Sequence, residues 1–268
     1  MMVAERALEA SPEESLDLLA GDWRIFQLKR GHRFSTDDLV TAWRGAKARP
    51  DAVSVLDIGS GIGSVGLLTL HALGRAGNSR PTLVGVEAQE QSVGLARRTA
   101  AWNHLDGRVE FHHGDLRESS VLPDGVHFDL VTGSPPYVPP GTGLLSPVPQ
   151  RAACRIELRG SIFDYCAAAY RWLAAGGRFC FVMAAQDPRT EQAPIENGLC
   201  VIERWNYVFR EGRDPHIATL VCARAEEGPF PARRTGQLLI RDRDGRWTDA
   251  YMEFRRDMGV DPGPQARV

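Results

Sequence analysis

The chain has no apolar run of about eighteen residues and no basic leader followed by an apolar core; over 1–20, Glu5, Glu9, Glu13, Glu14 and Asp17 break up every apolar stretch. A membrane-spanning helix and a secretory signal are therefore not expected. Cysteine is scarce. Cys154, Cys166, Cys180, Cys200 and Cys222 lie far apart, are odd in number and never form a C-x-x-C pair. That excludes the usual zinc and disulfide patterns, so no metal is expected, and it fits thiols in the reducing cytoplasm. Net charge is also nearly absent, at −2, so any polyanion must be held by local basic clusters rather than by the whole surface field. No internal repeat or low-complexity tract is found. With 43% hydrophobic and 25% charged residues, the 268-residue chain can bury one large core.

Local signals divide the chain into an N-terminal extension over 1–48, a central unit over 49–225, and a linker with a C-terminal extension over 226–268. Ser11-Pro12-Glu13-Glu14 combines a hydroxyl cap, a first-turn proline and acids, and predicts a helix that Gly21 ends. Residues 23–34 alternate loosely and set Lys29, Arg30, His32 and Arg33 around Gly31, which predicts a short hairpin or extended arm with a basic tip. A helix restarts at Thr36-Asp37-Asp38 and runs to about Ala48.

Beyond it, 53–58, 82–87, 109–113, 128–132, 178–184, 199–208 and 217–223 read as strands, and 64–73, 90–103 and 162–174 as helices. This alternation predicts an α/β fold of the Rossmann-like kind: a mostly parallel seven-stranded sheet with helices on both faces. Residues 138–150, with Pro139, Pro140, Gly141, Gly143, Pro147 and Pro149, read as a long connection of the sort that covers substrates. Residues 226–234 read as a linker, 238–240 as a short strand, 248–258 as a short helix and 259–268 as a frayed end.

Two segments carry chemistry. Val55-Leu56-Asp57-Ile58-Gly59-Ser60-Gly61-Ile62-Gly63 is a buried strand running into a glycine-rich turn and a helix, so backbone can approach a ligand closely at the strand end. Gly61-Ile62-Gly63-Ser64-Val65-Gly66 also satisfies the dinucleotide pattern, and Glu87 ends the next strand as a ribose-binding acid does in either case, so a nicotinamide oxidoreductase stays open. Three acids at successive strand ends, Asp57, Glu87 and Asp115, fit S-adenosylmethionine better. In that reading the glycines and Asp57 frame the methionine part, Glu87 accepts the ribose hydroxyls, Asp115 accepts from the adenine amine, and Leu116 lies against the adenine with Val86. Asp115 also suits a helix cap, and both apolar residues also suit a core.

The second segment, Asp129-Leu130-Val131-Thr132-Gly133-Ser134-Pro135-Pro136-Tyr137, is a buried strand ending in a polar residue, two prolines and an aromatic. The prolines stiffen the turn. The Ser134 hydroxyl and the Pro135 carbonyl can then accept from one planar amino group while Tyr137 stacks on its ring. That arrangement predicts methyl transfer to nitrogen by positioning and electrostatic preorganisation, with no strong base. A proline-stiffened loop with an ordinary packed tyrosine has the same composition. Basic clusters at Lys29–Arg33, Arg44–Arg49, Arg233-Arg234 and Arg241–Arg246, with Trp43, Trp205 and Trp247, could follow a phosphate backbone; the first is the candidate for RNA contact, and the others read more readily as solvated faces.

With Asp57-x-Gly59-x-Gly61-x-Gly63, Glu87, Asp115 and Ser134-Pro135-Pro136-Tyr137, the chain resembles the class I amino-methyltransferases that carry Asn, Asp or Ser before Pro-Pro-aromatic. Gly31-His32-Arg33-Phe34-Ser35-Thr36-Asp37 and Asp242-Arg243-Asp244-Gly245-Arg246-Trp247-Thr248 are similar to segments of the bacterial adenine-N6 methyltransferases acting on the anticodon loop of a valine tRNA. The resemblance spans roughly 10–258. It implies a class I methyltransferase fold, S-adenosylmethionine as cofactor and a tRNA partner. It further implies that Arg33-Phe34-Ser35-Thr36-Asp37 lines the donor pocket, with Phe34 and Thr36 as donor contacts, and that Lys29, Arg30, Arg33 and, within Arg151–Glu157, Arg155 and Glu157 lie on the substrate side. Most of that branch has asparagine where this chain has Ser134, which leaves a protein glutamine or a small-molecule amine as alternative acceptors. A non-catalytic donor-binding or RNA-chaperone module is a further alternative.

Overall fold

The computed structural model describes residues 8–139, 141, 150, 154 and 156–260. The first element, β1 (Glu14–Ala20), is a strand where the sequence suggests a helix. The cap-like signature builds only a turn: Ser11 N donates to Glu14 Oε2 (3.0 Å) and Glu14 N to Ser11 O (2.9 Å). The chain then pairs antiparallel with β2 (Trp23–Leu28) across Gly21, at φ +53°. Seven residues gain little as an isolated helix, so the ladder and the burial of Leu19, Ala20, Ile25 and Phe26 decide the conformation. The basic stretch follows β2 instead of forming the hairpin tip.

The remaining elements run α1 (Thr36–Ala48), β3 (Ser54–Ile58), α2 (Ser64–Arg75), β4 (Thr82–Glu87), α3 (Glu90–Trp102), β5 (Val109–His113) and β6 (Phe128–Gly133). They continue with α4 (Ile162–Trp172), β7 (Leu173–Ala184), α5 (Arg189–Glu196), β8 (Leu199–Val208), β9 (Ile217–Arg224), β10 (Arg234–Leu239) and α6 (Asp249–Asp257). Among the described residues the sheet has the order β10-β8-β9-β7-β6-β3-β4-β5, eight strands where seven are predicted. The extra member is β10. It begins at Arg234, four residues before the predicted strand, because its backbone completes a parallel ladder with β8. All neighbours are parallel except β9, which is antiparallel to both β7 and β8.

Strands such as β7 read as continuous apolar runs because both faces are covered; Phe179, Cys180, Phe181, Val182 and Met183 are all fully buried. One face packs against α1, α2, α3, the hairpin and α6, with Val40, Leu67, Leu68, Phe26 and Phe254 in its core. The other packs against α4 and α5 through Ile162, Cys166, Ala169, Trp172 and Ala193. Strand order reverses at β3, which pairs with β4 on one side and β6 on the other. Connections there leave in opposite directions and open a crevice at the carboxyl ends of the strands.

Candidate active site

That crevice holds a cavity of about 300 Å³, at the lower end of the range usual for small-molecule sites. Its wall includes the Gly59–Gly61 turn, Val86, Glu87, Leu116, the first turn of α1, and Ser134, Pro135, Pro136 and Tyr137. The two sequence motifs, some seventy positions apart, therefore face one space. Gly59 and Gly61 sit at φ +62° and +55°. A Cβ on Gly59 would fall 1.9 Å from the Tyr165 hydroxyl, whereas a Cβ on Gly61 would stand in open space. Gly63 does not line the cavity; it caps α2 at φ +85° and packs near Phe111.

The three strand-end acids have three different placements. Glu87 lines the cavity, with Oε2 accepting from Gly61 N (2.9 Å) and Oε1 from Gln89 N (2.7 Å), and burial raises its pKa. Asp57 does not reach the cavity. It is 1% exposed and ties α2 to β6, accepting from Gly66 N and from the Thr132 hydroxyl (both 2.9 Å), and burial lifts its pKa to about 7. Asp115 lies behind the cavity wall of Gly114 and Leu116, its carboxylate held by Arg117 (2.5 Å), which lowers its pKa.

Of the Arg33–Asp37 segment implied by resemblance, two residues, Ser35 and Asp37, line the cavity, joined by Asp38. Phe34 packs on the core, and neither it nor Thr36 lines the wall. Asp38 is 6% exposed, accepts from Ser35 N (2.7 Å) and the Ser64 hydroxyl (3.0 Å), and is shifted upward in pKa by burial. Its signal was legible in the Ser35-x-x-Asp38 capping-box spacing.

The Tyr137 hydroxyl donates to Asp37 Oδ2 (2.6 Å), which joins the Pro-Pro-Tyr turn to α1. Burial raises the phenol pKa well above its ordinary value, and Asp37 and Asp38 add to the rise. From behind, Arg189 holds the turn by donating to Tyr137 O (3.4 Å) and pairing with Glu157 (2.7 Å). Glu157, which the resemblance sets on the substrate side, pairs with Arg189, and its backbone N donates to Val138 O (3.0 Å). Lys29 donates to Pro12 O (2.8 Å), Arg33 pairs with Asp17 (2.9 Å), and Arg30 is exposed. Arg155 and 142–149 lie outside the described residues. Tyr165, Gln89, Arg159 and His216 also line the cavity, and no local sequence pattern singled them out.

The donor set suits S-adenosylmethionine. Gly61 leaves room that a side chain would fill, Glu87 presents a carboxylate, and the Ser60 hydroxyl is buried without a partner among the described residues. No group of His, Cys, Asp or Glu among the described residues is arranged to hold a metal, the described cysteines are unpaired, and no described helix is long and apolar enough to cross a membrane.

The family model for the methyltransferase small domain matches residues 44–193, over half of the chain. A release factor glutamine methyltransferase of Aliivibrio fischeri is 36% identical over 91 residues, 33% of this chain and 28% of that protein. A tRNA1(Val) (adenine(37)-N6)-methyltransferase of Salmonella typhi is 29% identical over 209 residues, 75% of this chain and 78% of that protein. Among solved structures, a predicted O-methyltransferase of Agrobacterium tumefaciens superposes with TM-score 0.59 at 18% identity, covering 84% of this chain and 97% of that one. The 16S rRNA N2 G1207 methyltransferase of Thermus thermophilus, in complex with AdoMet and guanosine, gives TM-score 0.54 at 17% identity, covering 79% and 50%.

Proposed function

The chain belongs to the methyltransferase small domain family and is an S-adenosylmethionine-dependent methyltransferase, and from that premise we propose that it methylates the exocyclic N6 of an adenine in tRNA. The observation that carries the reading is the common cavity of Glu87, Gly61 and the Ser134-Pro135-Pro136-Tyr137 turn. The longer curated match, over 75% of the chain, is to enzymes named for this reaction. The glutamine enzyme matches a third of the chain, so glutamine stands second.

Glu87 would hold the ribose of the donor, the Gly59–Gly61 turn its methionine part, and Val86 with Leu116 its adenine; S-adenosylmethionine, when bound, supplies an electrophilic methyl group on sulfonium. On the acceptor side, the Ser134 oxygen and the Pro135 carbonyl accept the two N–H groups of the target amine, which draws the nitrogen lone pair out of conjugation with the ring. The Tyr137 ring stacks on the base. The methylated nitrogen is acidic enough to lose its proton to water, so the chain needs no general base. Most of the acceleration in this scheme is orientation and fixed dipoles. The work belongs in the cytoplasm, where tRNA is found and thiols stay reduced.

The test is to incubate the protein with tritiated S-adenosylmethionine and, separately, unmodified tRNA, protein extract and small metabolites. Label in tRNA that digests to N6-methyladenosine is expected. Label confined to protein or metabolites overturns the tRNA reading.

A further inference from the structure

The loop 209–216 joins β8 to β9. Because β8 and β7 are each antiparallel to β9, they run the same way, and this loop emerges at the cavity end of the sheet. Its last residue, His216, lines the cavity. The backbone there is pinned on both sides: His216 N donates to Tyr207 O (2.9 Å), and His216 O accepts from Ala185 N (3.0 Å). At the other end of the loop Phe209 is 36% exposed, and its ring lies 4.9 Å from the His216 imidazole at 56°. Two aromatic rings thus stand together in solvent beside the cavity that Tyr137 also lines.

Single exposed apolar residues are common and need no explanation. This pair differs in three respects: it is continuous with the cavity, it sits on an anchored backbone, and the exposed Arg210 and Arg213 accompany it. We propose that Phe209 and His216 form a stacking platform for the nucleobase next to the methylated adenine, an assignment that rests on the RNA reading above. An enzyme that takes one base out of a strand leaves its neighbour without a stacking partner. Aromatic faces supply one without regard to base identity, and exposed arginines on the same loop, Arg213 and Arg210, the latter also donating to Arg243 O (3.0 Å), suit the adjoining phosphates.

The experiment measures steady-state methylation of an RNA stem-loop carrying the target adenine, with S-adenosylmethionine affinity measured separately by calorimetry. Phe209→Ala is expected to raise KM for RNA roughly tenfold, the scale of one lost base–aromatic stack, with the loss falling on KM rather than kcat and donor affinity retained. Phe209→Trp restores KM. On RNA carrying an abasic nucleotide beside the target, the wild-type KM rises likewise and Phe209→Ala adds no further loss. If Phe209→Ala binds and methylates RNA as the wild type does, or its effect simply adds to that of the abasic RNA, the platform is overturned while the RNA reading stands. If the wild type labels no RNA, the RNA reading falls and takes the platform with it.

Discussion

Removing the Tyr137 hydroxyl while keeping its ring tests whether the link to α1 matters for chemistry. Tyr137 donates to Asp37 at 2.6 Å, so the Pro-Pro-Tyr turn that carries the proposed amine acceptors is tied to the first turn of α1. A hydrogen bond to a charged acceptor contributes roughly 1.5–3 kcal/mol when sheltered. Both Tyr137 and Asp37 are only half-buried, so about 1 kcal/mol is the appropriate figure, equivalent to about fivefold in rate. Single-turnover methylation of an RNA stem-loop is the assay. Tyr137→Phe and Asp37→Ala should each slow the reaction about fivefold, and the double variant little more than either, because both remove the same bond. Tyr137→Ala should cost roughly a further tenfold or more through lost stacking. Since the phenol pKa lies well above its ordinary value, no tyrosine titration should shape the rate profile below that value. Fully multiplicative losses in the double variant, or a Phe variant as damaged as the Ala variant, would refute a role for the Tyr137–Asp37 bond.

Other expectations concern the donor cradle and the core. Gly59→Ala puts a Cβ 1.9 Å from the buried Tyr165 hydroxyl at a left-handed φ, so donor affinity measured by calorimetry should fall at least about tenfold and recover in part with Tyr165→Phe; unchanged affinity would show the turn to be unimportant. Asp57 has its folded pKa raised from 3.8 to about 7 by burial, so its contribution to stability is present below pH 4 and is lost as pH rises through 7. Relative to Asp57→Asn, denaturant unfolding of the wild type should therefore lose on the order of 2–4 kcal/mol between pH 4 and pH 8; parallel curves would contradict a buried carboxylate. Glu203 is 2% exposed and pairs with both Arg44 and Arg234, while Arg44 lies 4.4 Å over Trp205. Glu203→Leu leaves the Arg44 charge uncompensated, at a cost of roughly 3–5 kcal/mol, and should lower Tm by roughly 6–15 °C in a thermal scan.

The sequence by itself determined the parts of this protein that depend on short-range rules. Buried strands such as β7 announce themselves because both faces are covered and only apolar residues suit both. The glycine turn and the Ser134-Pro135-Pro136-Tyr137 turn announce themselves because backbone conformation there depends on the residues present. Tertiary structure decided which side chains meet. Asp57 and Glu87 both end strands, but the register sets Asp57 opposite Gly85, two residues below Glu87, so one acid braces α2 and the other faces the cavity. Glu14–Ala20 became a strand because β2 was available to pair, a long-range fact that overrode a local cap signal. Asp37 and Tyr137, a hundred residues apart, and His216, delivered by an antiparallel strand, reach the same cavity only through sheet order. Propensity acts over a turn or a strand, whereas pairing partner, register and facing are chosen by burial across the whole chain, and those choices assembled the site.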